Sequence, residues 1–114
     1  MSTARMRRVD EAMRQVLGDA LASELKDPRI GFVTVTDVKT SPDLRHARVY
    51  VSVLGSEPEQ TATLEGLRSA HGYLQGRVAV ELRLKRTPEL HFELDHTAEQ
   101  AARLERLIQE AGEG

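Results

Sequence analysis

The side chains best able to do chemistry in this chain are cationic, and they occur in short clusters. The two main clusters are Arg5, Arg7 and Arg8 near the N-terminus, and Arg83, Lys85 and Arg86 further on. The planar fork of a guanidinium group matches the oxygen geometry of phosphate. Cations at a helix C-terminus complement the helix dipole, but cations near a helix N-terminus are disfavoured. The N-terminal cluster therefore favours an external anion, and phosphate is the anion that we expect.

A second set of polar residues could support catalysis or hold a metal. His91, Glu93 and Asp95 alternate along one strand pattern, and His96 adjoins them. Imidazole and carboxylate groups are metal ligands and general acids or bases. A solvated polar strand face explains the same pattern, and no nucleophile–base pair, phosphate loop or metalloprotease spacing accompanies it. We therefore expect no catalytic residue, metal, cofactor or small-molecule substrate.

Length and composition indicate one small domain. A chain of 114 residues without cysteine can bury one core without disulfides, and we expect the domain to span residues 1–110, with 111–114 frayed. No apolar run approaches the roughly 20 residues of a membrane span, and no apolar segment follows the N-terminal arginines. These features favour a cytoplasmic protein.

The charge is unevenly distributed along the chain. The net charge of −2 is unusual for a nucleic-acid-binding domain, whose pI is often above about 9. However, residues 1–86 contain 14 Lys and Arg against 11 Asp and Glu, whereas residues 87–114 contain 2 against 7. The acidic excess is thus confined to the C-terminal part, which we expect to face solvent or a protein rather than phosphate.

Hydrophobic periodicity predicts the elements that position these residues. Apolar residues at helical spacing predict a helix over residues 3–26, capped by Ser2 or Thr3 and ended by Pro28. Two strand patterns follow at 32–39 and 47–53, with a bulge in the first near Asp37, and a third at 90–94. A last amphipathic helix begins near Thr97. Three short strands need helices over their apolar face, which predicts a two-layer α+β sandwich.

A long helical pattern between the second and third strands contains three glycines. Ser56 and Glu59 form a capping box at its start. Each glycine costs a continuous helix about 1 kcal/mol relative to alanine, so we expect a break, which we place at Gly72 within Ala70-His71-Gly72. The sequence helix, break, helix, basic turn and strand is typical of a KH-type RNA-binding core. The usual GXXG loop is absent, because Gln75 occupies the position of the second glycine.

Five segments in the same order resemble the ribosome-binding factor A family over roughly residues 5–108. They are Arg5-Met6-Arg7-Arg8-Val9, Leu25-Lys26-Asp27-Pro28-Arg29, the strand from Val33 to Val38, the strand motif from Asp43 to Ser52, and the stretch from Leu82 to Asp95. The resemblance implies a KH-like, type II fold with a mixed three-stranded sheet, helices on one face and an Ala-x-Gly kink.

The resemblance also implies a function. Members of that family are non-enzymatic RNA-binding factors that associate with free 30S small ribosomal subunits. They assist late maturation and processing of the 5′ end of 16S rRNA, and they are linked to cold adaptation. The resemblance further suggests release assisted by a partner assembly GTPase. We expect a monomer with no membrane partner.

The residues and the resemblance together give a set of candidate RNA contacts. We expect the cations to converge beside the helix break, where glycine lets nucleic acid approach the backbone. The candidates are Arg5, Arg7, Arg8, Arg45, Arg48, Arg77, Arg83, Lys85 and Arg86, with Ala70, His71 and Gly72 as the kink. Four aromatic residues are too few for a multi-base stacking platform, so binding should depend on RNA shape and backbone.

Two other classes of function fit part of the sequence. A protein-binding adaptor of KH-like fold without direct RNA contact would explain the acidic last helix and the modest overall charge. A small metal-dependent hydrolase would place a metal on His91 and His96. Salt dependence of binding distinguishes the adaptor from the RNA-binding factor, and metal analysis tests the hydrolase.

Overall fold

The computed structural model describes residues 3–113, which form a three-stranded sheet and four helices. The elements are α1 (Ala4–Ser23), β1 (Val33–Thr40), β2 (His46–Val53), α2 (Glu57–Ser69), α3 (His71–Leu82), β3 (Glu89–Leu94) and α4 (Thr97–Glu113). Met1, Gly114 and the predicted cap Ser2 lie outside the described residues. The helix α4 continues through residues 111–113, where the sequence predicted a frayed end. No helix in the described range combines the length and apolar character needed to cross a bilayer.

The sheet is mixed, with β2 in the centre. β1 pairs with β2 antiparallel through a hairpin, and β2 pairs with β3 parallel. A parallel neighbour requires a crossover connection, and α2 and α3 provide it. The register of the hairpin shifts between Val35 and Asp37, which confirms the predicted bulge to within a residue. The predicted α+β architecture with a mixed three-stranded sheet is therefore correct.

The core lies between one face of the sheet and the helices α1, α2 and α3. Alternate residues of each strand point into it, as the period-2 patterns predicted. The buried apolar residues are Met13, Leu17, Ala20, Leu21, Val35, Val38, Ala47, Val49, Val51, Leu67, Leu74, Val78, Leu90 and Phe92. The opposite face of the sheet carries polar side chains and remains exposed. The described residues therefore leave one sheet face open to a partner.

Two polar contacts fix the N-terminal half of α1. The hydroxyl of Thr3 accepts a hydrogen bond of 3.1 Å from the backbone N–H of Met6. The Asp10 carboxylate accepts from the backbone N–H of Thr40 at 3.0 Å and also from its hydroxyl, which joins α1 to the end of β1. The helix ends at Ser23, earlier than the predicted residue 26. Proline disfavours helical conformation only in the residue before it, here Asp27, and residues 24–27 have already left the helix.

The helical crossover is broken within the predicted Ala-x-Gly motif. The break falls at Ala70, whose φ and ψ are −84° and 6°, rather than at Gly72, which lies in the first turn of α3. The predicted capping box of Ser56 and Glu59 is present at the start of α2. Within α2, a Cβ on Gly66 would lie 2.6 Å from Cγ1 of Ile30, so this glycine permits close packing. A Cβ on Gly72 would meet nothing within 4 Å.

Candidate nucleic-acid interface

The chain segments that carry two basic clusters come together where α1 packs against the end of α3. Arg5 and Arg8 on α1 line a groove of about 810 Å³ together with Leu82 and Leu84, which end or follow α3. Leu84 lies between exposed cations in the chain. We call this surface the basic end, and define it as Arg5, Arg8, Arg83, Lys85 and Arg86. The packing of α1 against α3 therefore brings Arg5 and Arg8 to the same groove as the segment that carries the other three cations, and Asp19 and Glu81 also line this groove.

The cations of the basic end are available to an external anion. All five side chains are exposed, and none takes part in an ion pair within residues 3–113. The first turn of α1 contains no acidic residue that would offset its arginines or the helix dipole. The basic end therefore carries five exposed positive charges that no ion pair within the described residues neutralises.

The backbone of Arg83 is unusual. It ends α3 in the left-handed region, with φ 50° and ψ 39°, and its N–H donates to the carbonyl of Ala79 at 3.1 Å. Glycine is the common residue in this conformation, because the left-handed region costs other residues about 1–2 kcal/mol. An arginine at this position is consistent with a role for its side chain that glycine would not supply.

Arg77, a predicted RNA contact, is already paired within the protein. Its Nε lies 2.9 Å from Oε1 of Glu24, and its Nη1 lies 3.1 Å from Oε1 of Glu81. The hydrogen bond to Glu81 and the charge of Glu24 raise the pKa of Arg77 above its ordinary value. Tyr73 also donates a hydrogen bond to Glu24. This network joins α3 to the end of α1, so its contribution is structural.

The kink does not lie beside the basic end, contrary to the expectation from sequence. The kink precedes α3 and the basic turn follows it, and 12 helical residues separate them by about 18 Å. Gln75 connects α3 to the start of β3, donating to the carbonyl of Pro88 at 2.5 Å and accepting from the N–H of Leu90 at 3.2 Å. Gly72 and the basic end are therefore separate surfaces, and one RNA segment would have to span α3 to touch both.

The remaining predicted cations lie on other surfaces. Arg48 lies on the open face of the sheet opposite Lys39, whose Nζ is 5.9 Å from the centroid of the Tyr50 ring. Arg45 is exposed in the loop that precedes β2. Arg7 lines a different hollow, between α1 and β1, whose other charged residues are Asp10, Glu11, Arg14, Asp37 and Lys39. Arg7, Arg45 and Arg48 do not line the groove of the basic end.

The polar residues of β3 and the residue that follows the strand have two roles. Asp95 accepts hydrogen bonds from the Thr36 hydroxyl at 2.6 Å and from the Thr97 N–H at 2.9 Å, which fixes the start of α4. These bonds lower the pKa of Asp95 to about 2. His91 instead lies beside His46 of β2 and near Glu89, a group whose ligand atoms could hold a metal ion. The sequence analysis did not foresee this group, because it depends on the parallel register of β2 and β3.

The fold defines a class of protein. A three-stranded mixed sheet and a helix–kink–helix crossover are the features of a KH-like domain. Residues 5–108 match the family model of ribosome-binding factor A. The chain therefore belongs to the ribosome-binding factor A family, which confirms the predicted relationship.

Solved structures agree with this assignment. The crystal structure of ribosome-binding factor A from Thermus thermophilus is similar with 28% identity and a TM-score of 0.69, covering 78% of this chain and 94% of that one. The solution NMR structure of a Thermotoga maritima protein described as a ribosome binding factor A has 37% identity and a TM-score of 0.73, covering 82% and 89%. A Thermus thermophilus homology model fitted into the cryo-EM map of a 30S complex has 28% identity and a TM-score of 0.62, covering 74% and 88%.

Proposed function

We propose that this chain binds the small ribosomal subunit through its ribosomal RNA, with the basic end as the contact surface. The observation that carries the proposal is that Arg5 and Arg8 share a groove with Leu82 and Leu84, which belong to the segment that carries the exposed cations Arg83, Lys85 and Arg86. Family membership supports it, because a relative with the same fold has been fitted into a map of a 30S complex. Arg83, Lys85 and Arg86 supply phosphate contacts. Arg83 does so from a left-handed backbone conformation that favours glycine.

The binding mechanism is electrostatic docking on RNA of a particular shape. Each cation that neutralises a phosphate releases a counterion, which makes affinity fall as salt concentration rises. Contacts to phosphate position a protein without reading bases, and the scarcity of aromatic residues agrees with that mode. A factor of this kind favours one RNA conformation by binding it more tightly than the alternative. No nucleotide hydrolysis by this chain is required.

The biological role that we propose follows the family. The chain associates with free 30S subunits in the cytoplasm, acts as a non-enzymatic monomer and assists late maturation and processing of the 5′ end of 16S rRNA. An assembly GTPase assists its release. Family membership and the basic end support this role, and subunit-binding measurements test its first step.

A pair of charge reversals tests the proposed contact surface. Arg83→Glu with Arg86→Glu should weaken co-sedimentation with purified small subunits, because attraction to phosphate becomes repulsion. Arg103→Glu with Arg106→Glu on α4 makes the same change in net charge on exposed residues of another helix and serves as the control. Equal binding by both double variants would contradict the assignment of the basic end. Circular dichroism checks that each variant remains folded.

One observation favours the adaptor class as a second candidate. The helix α4 exposes Leu104, Leu107 and Ile108, whose side chains are 59%, 55% and 62% accessible. Three large apolar side chains on one helix face are characteristic of a protein-binding surface. If the protein component of the subunit is the partner, the α4 variants should weaken binding more than the basic-end variants, and affinity should change little with salt.

A further inference from the structure

We propose that His46, Glu89 and His91 form a binding site for one divalent transition-metal ion of the zinc class. Nδ1 of His46 lies 3.0 Å from Nε2 of His91 and 3.9 Å from Oε2 of Glu89. One ligand atom from each residue lies within 4.8 Å of the other two. With tetrahedral zinc bonds of about 2.0–2.1 Å, neighbouring ligand atoms are about 3.3 Å apart. The two measured separations bracket this value, so modest side-chain rotations complete the site.

The backbone already holds the ligands in position. His46 and Glu89 are direct partners in the parallel pairing of β2 with β3, and His91 lies on the same face two residues after Glu89. The Ser41 N–H donates to the carbonyl of His46 at 2.8 Å, and the His46 N–H donates to the Ser41 hydroxyl at 3.1 Å. The Glu89 N–H donates to the carbonyl of Arg45 at 2.8 Å. Only the exposed side chains need to adjust on metal binding.

The donor set determines which metal fits. Two imidazoles and one carboxylate are the ligands of open zinc sites, in which water or a partner group occupies the fourth position. Imidazole nitrogen favours zinc, copper and nickel, whereas magnesium and calcium prefer oxygen ligands. The three side chains are exposed, so a fourth ligand from solvent or from a partner can reach the ion.

The positive and negative charges of the side chains around the site balance, so they do not oppose binding of a cation. Lys39 and Arg48 line the same hollow of about 630 Å³ and carry two positive charges. The carboxylates of Glu89 and Glu93 offset them, and both histidines bind metal as neutral imidazoles. A bound ion would connect β2 to β3 at the start of both strands and would therefore stabilise the parallel pair.

This site differs from the sequence-based expectation in two ways. No metal was expected, and the alternative hydrolase interpretation placed an ion on His91 and His96. The strand register instead sets His91 beside His46, whereas His96 follows β3 in the chain. The proposal concerns binding and stability and involves no hydrolytic step.

Metal titration of the full untagged chain, freed of metal by chelation, tests the site. Zinc binding is measured by calorimetry, Co²⁺ coordination by its visible absorption, and stability by thermal unfolding. We expect one ion per chain and, at a free zinc concentration about a hundred times Kd, a rise in Tm of roughly 10 °C. The His46→Ala and His91→Ala variants should lose about tenfold or more in affinity, since even second-sphere changes at zinc sites cost that much.

The His96→Ala variant is the matched control, because it also removes one exposed histidine. It should bind zinc with the affinity of the unaltered chain. Loss of affinity equal to that of His91→Ala would place the ion on His91 and His96 and overturn the proposal. The proposal also fails if the unaltered chain shows no saturable binding, or if all variants bind equally. Circular dichroism of each metal-free variant shows whether a loss reflects unfolding.

Discussion

Substitutions at Arg83 should separate stability from binding. The left-handed conformation of this residue costs about 1–2 kcal/mol for any residue with a Cβ. Glycine avoids that cost but loses roughly 0.5–1 kcal/mol more conformational freedom on folding. The Arg83→Gly variant should therefore be more stable than Arg83→Gln by about 0.5–1 kcal/mol. For a domain of this size, that difference corresponds to roughly 2–4 °C in Tm.

Both neutral variants should lose the same affinity for the small subunit. Each removes one phosphate contact, which lowers the slope of log K against log salt by about 0.7–0.9. Arg83→Lys keeps the charge in the strained conformation and should retain most of the binding. Thermal unfolding and binding at several salt concentrations give both quantities from the same preparations. If Arg83→Gly binds as tightly as the unaltered chain, the basic end does not use this residue.

Three further predictions concern the fold. Gly66→Ala should destabilise the protein by about 1–2 kcal/mol, because overpacking against Ile30 exceeds the gain in helix propensity. Gly72→Ala should instead stabilise the protein by up to about 1 kcal/mol, because its Cβ meets no neighbour. Chemical denaturation measures both, and equal effects would refute the packing difference. Asp10→Ala should lower the free energy of unfolding by about 1–3 kcal/mol, since the buried N–H and hydroxyl of Thr40 lose their acceptor. A decrease below about 0.5 kcal/mol would show that solvent replaces the carboxylate as acceptor. Asp95 has a folded-state pKa of about 2, below the unfolded value of about 3.9, so its stabilisation is complete above pH 4 and lost as pH falls toward 2. Asp95→Asn should therefore reduce the fall in Tm between pH 4 and pH 2, and an unchanged pH profile would exclude this contribution.

The sequence predicted the features that depend on local periodicity. The strands, the capping box at Ser56 and the amphipathic α4 all follow from neighbours within a few residues, and the structure confirms them. The kink was placed two residues late, because Gly72 is the best glycine signal while Ala70 carries the change in backbone angle. The end of α1 was placed three residues late because no strong stop signal precedes Pro28.

The sites depended on contacts that the sequence could not show. Arg77 looked like a free cation near the kink, yet its partner Glu24 lies 53 positions earlier and meets it only through helix packing. The neighbours of His91 could be identified only from the pairing of β3 with β2, because an alternating pattern shows which face a residue lies on but not which strand lies beside it. The packing of α1 against α3 brings the segments of two basic clusters to one groove, but this groove does not lie beside the kink, where the sequence analysis expected the cations to converge.

The salt dependence of small-subunit binding tests the central claim most directly. Affinity is measured by equilibrium binding of the unaltered chain and of the Arg83→Gln, Arg86→Gln double variant over a several-fold range of salt. If the basic end contacts phosphate, log K should fall linearly with log salt, and the double variant should reduce the slope by about 1.4–1.8. Identical slopes for the two proteins would show that these cations do not contact RNA.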